Sequence, residues 1–314
     1  MFISHCSKEA LANAAEKLRS GSLIAFPTET VYGLGADADN ENAVARIYKV
    51  KGRPADHPLI VHIADLDQVD YWACEIPEYA ISLMRDFWPG PMTLVLKRKN
   101  AKDFITGGQE TVGLRIPAQQ IALSLLKEFQ NLGGHGIAAP SANRFGAVSP
   151  TTAAAVQEEI GNRLDKSDQI LDGGPCLVGL ESTIIDCTGE APRILRPGAI
   201  SEIMIEESTG LKLRDRNEKI RVSGSLDQHY SPRAEVFIEG DIQDGDGFLA
   251  LAEIPTPPNA IRISSPSTIE EFARILYQSL RDADARGLKR IKVILPAGNG
   301  LAFAIRDRVT RAAR

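Results

Sequence analysis

The chain has 314 residues, of which 43% are hydrophobic and 25% are charged, and its formal net charge is −5. This balance is typical of a globular protein with a sizeable core and excludes a highly charged disordered chain, while the length allows two domains. The acidic net charge argues against general nucleic-acid binding, which depends on a basic surface.

The cysteines and the apolar segments bear on the cellular compartment. No C-x-x-C pair occurs among Cys6, Cys74, Cys176 and Cys187, so we expect neither a zinc site, nor a redox pair, nor any permanently bound metal. Free thiols suit a reducing cytosol. Because no apolar run is of signal-peptide or membrane-spanning type, we predict a cytoplasmic protein without a membrane segment.

Hydrophobic periodicity predicts alternating helices and strands in the first two thirds of the chain. Helices are predicted at 7–18, between Asn40 and Gly52, at 81–88 and 118–129, from Pro150 in a first-turn position, and near Glu202. Strands are predicted at 22–26, 59–63, 92–96, 111–116, 137–143 and 184–187. Ser7 and Asn40 are expected N-caps, and the glycine-containing segments 33–35 and 171–175 are expected turns.

The last third of the chain has a different character. From residue 209 to 233 it is polar and charged, which is typical of an interdomain linker. Strands near 234–238, 248–251, 260–263 and 291–295 follow, with helices at 268–286 and 301–313. We therefore predict a first domain over 1–208, a linker over 209–233 and a small Rossmann-like α/β domain over 234–314.

The first predicted strand runs into PTETVYGLG at residues 27–35. A strand that ends in hydroxyls and glycines presents donors, acceptors and close backbone approach at its tip, where ligand sites of α/β sheets are built. An ordinary strand followed by a tight turn uses the same residue types. Taken alone, the stretch does not decide between these two interpretations.

The same pattern of polar residues at strand ends recurs along the chain. The residues concerned are Thr28, Thr30, Arg115, Ser141, Asn143, Ser182, Thr183 and Arg196. Lys51 and Arg53 follow the second helix, at positions that we expect to be exposed. Cations alternating with neutral donors suit an anionic ligand with phosphates and carboxylates. The residues by themselves thus predict a protein that binds a phosphorylated small molecule.

The common nucleotide and hydrolase motifs are absent. No Gly-Lys dipeptide occurs, which excludes a Walker A loop, and residues 33–35 lack the third glycine of a dinucleotide fingerprint. His57 and His62 have no third ligand nearby that would make a metal site, and a lone histidine in a strand is more often structural than a ligand.

Taken together, these segments resemble the threonylcarbamoyl-AMP synthase family of YrdC-like proteins. The matching segments, in order, are PTETVYGLG at 27–35, KGRP at 51–54, PLIVH at 58–62, WPGPMT at 88–93, GLRIP at 113–117, APSAN at 139–143 and EST at 181–183. The resemblance covers about residues 10–205. HYSP at 229–232 and NGLAFAI at 299–305 are similar to the longer, two-domain branch of that family.

This resemblance implies a fold and a reaction. The implied fold is a twisted open mixed α/β sheet with a basic concave face, followed by the small Rossmann-like domain. The implied reaction joins L-threonine, bicarbonate or CO2, and ATP, with Mg²⁺ on the phosphates, to give threonylcarbamoyl-AMP and pyrophosphate. A separate transferase complex then moves the threonylcarbamoyl group to adenine 37 of certain tRNAs, so we do not expect direct tRNA binding.

The resemblance also implies site residues. The catalytic tetrad is Lys51, Arg53, Ser141 and Asn143. L-Threonine is expected at Thr30, His62, Arg115, Ala139 through its backbone, and Ser182. ATP is expected at Arg53, His57, Thr111, Ser141, Ser149, Arg196 and Tyr230. His57 stands where the family usually has asparagine, and Tyr230 would make the linker a lid.

Two alternatives remain open at this point. A basic concave face would also suit a double-stranded RNA or ribosome-associated binding protein, although the net charge and the absence of basic residues interleaved with aromatic ones argue against it. A carbamoyl-transfer enzyme with a related cleft is the second alternative. Stabilisation by threonine in the presence of ATP separates this last alternative from the synthase.

Overall fold

The computed structural model describes residues 3–215, 220–222 and 230–313. The helices are α1 (Lys8–Arg19), α2 (Glu41–Lys51), α3 (Val69–Trp72), α4 (Glu78–Phe87), α5 (Asp103–Thr106), α6 (Gln120–Asn131), α7 (Ala153–Ile160), α8 (Glu202–Thr209), α9 (Ile269–Ala285) and α10 (Leu301–Ala312). Within these described ranges, no helix has both the length and the apolarity needed to cross a membrane.

The strands form two sheets. The first contains β1 (Ile3–His5), β2 (Ile24–Phe26), β3 (Gly33–Asp37), β4 (Ile60–His62), β5 (Ala73–Cys74), β6 (Met92–Arg98), β7 (Thr111–Arg115), β8 (Ile137–Ala138), β9 (Gln169–Asp172), β10 (Thr183–Asp186) and β11 (Arg193–Arg196). The second contains β12 (Glu235–Phe237), β13 (Gly247–Leu249), β14 (Ile261–Ser264) and β15 (Arg290–Val293).

The large sheet is mixed. Its strand order is β1-β9-β2-β3-β8-β4-β7-β6-β10-β11, with β5 paired to β6 outside this path. β4 runs parallel to β7 and β6 parallel to β10, whereas β2, β3 and β8 are successively antiparallel. This arrangement confirms the predicted mixed α/β fold, and it brings the ends of β4 and β7 and the start of β10 to neighbouring places.

The second sheet has the order β12-β15-β13-β14, and all its strands are parallel. Its core includes Phe272 and Leu276 of α9 and Ile305 of α10, and the same apolar cluster includes Val31 and Leu180 of the first domain. The structure therefore confirms a second, smaller α/β domain, and the two domains share an apolar contact. The residue boundaries of domains and linker stay predictions.

The predicted helix caps are confirmed, because they depend on short-range hydrogen bonds. Ser7 Oγ accepts from Ala10 N, and Asn40 Oδ1 accepts from Ala43 N. Gly52 ends α2 in the left-handed conformation, with φ +64°. A side-chain oxygen at the N-cap and a left-handed glycine after the last turn are the common helix boundaries.

The prediction of turns at 33–35 and 171–175 was partly wrong. Residues 33–35 begin β3, and residues 171–172 end β9. A Cβ at Gly35 would lie 2.7 Å from Ile137 Cγ2 and 2.8 Å from Phe26 Cε1. The glycine is thus required by close packing within the sheet and not by a turn.

The helix predicted to begin at Pro150 begins later. α7 starts at Ala153, with Thr152 as its N-cap. The Pro150 carbonyl instead accepts a hydrogen bond from Tyr32 N at 2.9 Å. This segment is held by a contact with the opening stretch, which residue spacing does not reveal.

Candidate active site

One cavity lies where the ends of the central strands of the large sheet meet. Its wall contains most of the residues that the resemblance singled out. These are Thr30, Lys51, Arg53, His62, Arg115, Ala139, Ser141, Asn143, Ser182, Arg196 and Tyr230. Thr28, Glu181 and Phe145 also line it.

One wall is built around Arg115, at the end of β7. Its Nη1 donates to Thr30 Oγ1 at 3.0 Å, its Nη2 to Glu29 Oε1 at 2.7 Å and its Nε to the Gly90 carbonyl at 3.2 Å. Thr28 and Thr30 share a hydroxyl–hydroxyl bond of 2.8 Å. Because Arg115 is fixed on three sides, its guanidinium is preorganised at the cavity wall.

His62 ends β4 beside this wall. Burial, and then the charge of Arg115, lower the pKa of its imidazole to about 3, so the ring is neutral at physiological pH. Its Nδ1 is buried and has no hydrogen-bond partner in the described part of the chain. A neutral ring nitrogen of this kind can accept a hydrogen bond from a ligand.

Lys51 and Arg53 are buried, which corrects the expectation that they are exposed. Their exposed fractions are 3% and 8%. Lys51 Nζ donates to the carbonyls of Ser141 at 2.6 Å and Asn143 at 2.5 Å, and Phe145 N donates back to the Lys51 carbonyl at 2.8 Å. The loop after β8 therefore covers the end of α2, and burial lowers the pKa of Lys51 well below its usual range.

The rest of the predicted tetrad is shaped by the same loop. Arg53 Nη2 donates to the Pro58 carbonyl at 2.9 Å, and its guanidinium carbon lies 5.9 Å from the Phe145 ring centroid. Asn143 Nδ2 donates to the carbonyls of Arg144 and Ala147, both at 2.8 Å. Asn143 thus holds the loop in shape, while its buried Oδ1 has no partner among the described residues.

A second wall is formed at β10 and β11, which follow β7 and β6 in the sheet. Arg196 Nε and Nη2 donate to the Ser182 carbonyl at 3.1 and 3.0 Å, and Nη2 also donates to the Ser182 hydroxyl at 3.1 Å. Ser182 Oγ lies 2.8 Å from Thr93 Oγ1. Burial lowers the pKa of Arg196, but a guanidinium remains charged.

Three predicted site residues do not line this cavity. Thr111 lies in a neighbouring depression of the sheet, beside Gly113. His57 is partly exposed, with its ring edge-on to Phe145 at 5.3 Å. Ser149 is buried and donates to Glu181 Oε1 at 2.6 Å. The ligand contacts of these three residues stay predictions.

The predicted lid is described only in part. Tyr230 is buried, has φ +64°, and stacks on Tyr277 with ring centroids 5.5 Å apart. Ser231 N donates to the Gly146 carbonyl at 3.0 Å, which holds the chain against the loop after β8. His229 and the segments 216–219 and 223–228 lie outside the described residues.

Sequence reasoning missed the two acidic residues of the site. Glu29 lies behind Arg115, and Glu181 lies in the wall beside Ser182. Both stand inside segments otherwise rich in hydroxyls, where an acidic residue requires a cation nearby. An acidic residue inside a hydroxyl-rich segment was therefore the sequence signal that could have identified Glu29 and Glu181. Among the described residues, no three acidic, histidine or cysteine side chains converge as a resident metal site would require.

Electrostatically, the cavity joins four basic side chains and one carboxylate, that of Glu181, to neutral donors and acceptors. Lys51, Arg53, Arg115 and Arg196 line it together with Ser141. Several cations at one place can compensate several negative charges, and fixed hydroxyl and amide groups give orientation. The arrangement therefore suits a ligand, or two ligands together, that carry both phosphates and a carboxylate.

Comparison with known families agrees with this geometry. Residues 16–198 match the family model for Sua5, YciO and YrdC proteins, described as "Telomere recombination". Residues 199–314 match the model described as "Threonylcarbamoyl-AMP synthase, C-terminal domain".

Similar proteins are found among characterised sequences and solved structures. Threonylcarbamoyl-AMP synthase of Pyrococcus abyssi is 41% identical, over 95% of this chain and 92% of the relative, and that of Bacillus subtilis is 39% identical, over 96% and 92%. The crystal structure of P. abyssi Sua5 complexed with L-threonine superposes with a TM-score of 0.89 at 37% identity, covering 100% of this chain and 98% of that one. E. coli YciO reaches 0.53 at 26% identity and covers 63% and 94%. The chain therefore belongs to the threonylcarbamoyl-AMP synthase family, in its two-domain form.

Proposed function

We propose that this chain converts L-threonine, bicarbonate or CO2, and ATP into threonylcarbamoyl-AMP and pyrophosphate. Mg²⁺ enters with ATP as part of the substrate. The product then serves a separate transferase complex that modifies adenine 37 of tRNA, and the reaction takes place in the cytoplasm. The names of the similar proteins support the assigned reaction. The four unpaired cysteines support the assigned compartment, because free thiols suit a reducing cytosol.

The observation that carries the proposal is the meeting of two kinds of binding wall in one cavity. Arg115 and Thr30 form a wall that suits an amino-acid carboxylate, whereas Arg53 and Arg196 form one that suits phosphates. A reaction between a carbamate and a nucleoside triphosphate brings two anions together. Cations on both sides reduce their repulsion and hold them in place.

On the threonine side, each residue has a separate task. The guanidinium of Arg115 pairs with the substrate carboxylate, and Thr30 and Ser182 offer hydroxyls. The neutral ring of His62 accepts a hydrogen bond through its buried Nδ1. Because Ala139 N already donates to the Ile60 carbonyl at 2.9 Å, its remaining backbone contact is through its carbonyl oxygen.

On the ATP side, Arg53 and Arg196 bind phosphates, and Ser141 adds a hydroxyl. His57, Thr111 and Ser149 are further proposed contacts, and Tyr230 closes the cavity from the linker. Lys51 holds the loop in place from its base, where two carbonyls accept hydrogen bonds from its Nζ. Closure excludes water, which matters because the carbamate and the acyl adenylate both hydrolyse readily.

The chemistry needs no protein nucleophile. The threonine nitrogen forms a bond to the carbon of CO2, a proton leaves to solvent, and a carbamate results. A carbamate oxygen then attacks the α-phosphorus of ATP in line, and the bond from that phosphorus to the bridging oxygen breaks. Pyrophosphate leaves with the bonding electron pair. The protein supplies positioning and compensating charge at the α-phosphate.

The test is pyrophosphate release by the full chain with threonine, bicarbonate and MgATP, with the nucleotide product identified by mass spectrometry. Arg53→Gln should lower turnover by about a hundredfold or more, because a phosphate-binding charge is lost. Arg85→Gln is the matched control, since Arg85 is 72% exposed and pairs only with its neighbour Asp86 among the described residues.

The outcomes separate the alternatives. Pyrophosphate release that does not depend on threonine would contradict the proposal. Salt-sensitive RNA binding without nucleotide turnover would favour the RNA-binding alternative instead. Failure of threonine to raise the melting temperature in the presence of ATP would favour a different carbamoyl-transfer enzyme.

A further inference from the structure

The buried carboxylate of Glu181 lies where the two domains meet. Its Oε1 accepts a hydrogen bond from Ser149 Oγ at 2.6 Å. Its Oε2 accepts from the Tyr277 hydroxyl at 2.8 Å and from Arg308 Nε at 2.9 Å. Ser149 belongs to the large-sheet domain, whereas Tyr277 and Arg308 stand on α9 and α10. The second domain thus binds a residue of the cavity wall.

The charge of Glu181 matters because the group faces an anion-binding cavity. Burial alone would raise the pKa of its carboxyl, but the charges of Arg308 and Arg196 and the bond from Ser149 hold that pKa at about 2. Glu181 is therefore ionised at neutral pH. A negative charge at such a wall weakens the binding of phosphates unless a cation compensates it.

Arg308 reaches this carboxylate from behind the wall. Its side chain is completely buried, Nη2 donates to the Pro197 carbonyl at 2.9 Å, and the guanidinium carbon lies 5.3 Å from the Tyr230 ring centroid. Arg308 thus contacts two wall residues, Glu181 and Tyr230. Its Nη1 also donates to Asp307 Oδ2 at 2.6 Å, and Asp307 pairs with Arg311 as well. It is not itself one of the described residues that line the cavity.

Arg196 is the other cation whose charge acts on Glu181. It stands in the wall and carries one of the charges that the proposed reaction uses on the phosphates. If Arg308 were absent, Arg196 would compensate Glu181, and its charge would be less available to a ligand. The docking of the second domain therefore sets the charge of this wall.

We propose that Arg308 is a positioning residue of the second domain, which neutralises Glu181 and so keeps Arg196 for the phosphates of ATP. This inference rests on the proposed function and goes beyond it, because it assigns a role in ATP binding to a residue outside the cavity. Arg308 itself touches no substrate. Its effect on the reaction passes through Glu181.

The test is a double-mutant cycle in the full chain. Arg308→Met should raise the KM for ATP by about tenfold or more and leave the KM for threonine within about twofold. Glu181→Gln removes the charge that Arg308 compensates. The double variant Glu181→Gln/Arg308→Met should therefore show a KM for ATP within about threefold of Glu181→Gln alone, because the two effects are coupled.

Arg306→Met is the matched control. Arg306 lies on the same helix, and it donates to the carbonyls of Pro296 and Gly298 in the second domain, both at 2.7 Å. The KM values of this variant should stay within about twofold of the wild-type values, because neither bond involves Glu181 or Asp307.

Additive effects in the cycle would overturn the inference, because they would mean that Arg308 acts only as a structural contact between domains. If Arg308→Met does not fold, the double variant decides between the two interpretations. A folded double variant supports the inference that Arg308 neutralises Glu181. A double variant that also fails to fold overturns it. If the wild-type chain releases no pyrophosphate, the proposed function fails. In that case, the dissociation constant for ATP is measured by calorimetry for the wild type, the two single variants and the double variant. Additive changes in binding free energy again overturn the inference.

Discussion

Two buried carboxylate–arginine pairs lie at the cavity, and they are built differently. Glu29 Oε1 meets Arg115 Nη2 at 2.7 Å, and Glu181 Oε2 meets Arg308 Nε at 2.9 Å. Both residues of the first pair belong to the large-sheet domain, Arg115 at the end of β7 and Glu29 in the loop between β2 and β3. The second pair joins the large-sheet domain to α10 of the second domain. The first pair is therefore a property of one sheet, whereas the second exists only when the domains are docked.

The contact between the domains is close enough to make the second pair specific. A Cβ at Gly179 would lie 2.4 Å from the Cα of Arg274 in α9, and Gly179 has φ +80°. Leu180, the next residue, is buried in the apolar core of the second domain. Glu181 thus follows directly on a segment whose backbone touches α9. One wall of the cavity therefore depends on domain docking, and the other does not.

The largest expected effect is that of breaking the first pair with Glu29→Gln. Arg115 would remain buried without its counter-charge, and the free energy of unfolding should fall by about 3–5 kcal/mol. Because Arg115 loses its fixed orientation, the KM for threonine should rise while the KM for ATP stays near the wild-type value. Urea denaturation and pyrophosphate-release kinetics measure the two effects.

Asp186→Asn is the control for this variant. Asp186 pairs with Arg193 at 2.8 Å and is buried, but it lies outside the cavity wall. The Asp186→Asn variant should lower the free energy of unfolding, as Glu29→Gln does, without a selective change in the KM for threonine. A Glu29→Gln enzyme that keeps its wild-type KM for threonine would show that Glu29 has no part in orienting Arg115.

The next effect concerns pH and the second pair. The pKa of Glu181 is lowered from 4.5 to about 2 in the folded protein. A lowered folded pKa gives stability that is present above pH 4.5 and is lost as the pH falls from 4.5 towards 2. This difference corresponds to about 3 kcal/mol. The urea concentration at the midpoint of unfolding should fall more steeply from pH 6 to pH 3 for the wild type than for Glu181→Gln. The same pH dependence in both proteins would contradict the prediction.

The smallest expected effect is that of Tyr277→Phe. The variant removes one of the donors to Glu181 but keeps the ring stacked on Tyr230, and Ser149 and Arg308 still hold the carboxylate. The free energy of unfolding should fall by about 1.5–3 kcal/mol, the usual contribution of a hydrogen bond to a charged group. Tyr71→Phe, which removes an exposed bond to Asp39, should change stability by less than about 0.5 kcal/mol. If both variants lose the same free energy of unfolding, the bond from Tyr277 to Glu181 contributes no more to stability than an exposed hydrogen bond.

Local features of the fold were predictable because they depend on residues close in sequence. The caps at Ser7 and Asn40 and the stop at Gly52 each involve contacts within a few residues. Most of the polar strand ends also meet at the cavity, since strands of one sheet bring their ends to a common edge, whereas the Thr183 hydroxyl bonds to the Ile200 backbone instead. Burial of Lys51 was not predictable, because it depends on carbonyls 90 and 92 residues further along the chain.

The fold class, the family, and the cations and hydroxyls that line the cavity all follow from the amino-acid sequence, because periodicity, caps and ordered motifs depend on neighbouring residues. Three features follow only from long-range packing: Gly35 lies in a strand, Lys51 donates to a loop that covers it, and Glu181 pairs with Arg308, 127 residues away. Burial and charge compensation depend on which distant segments pack together, and no spacing along the chain records that packing.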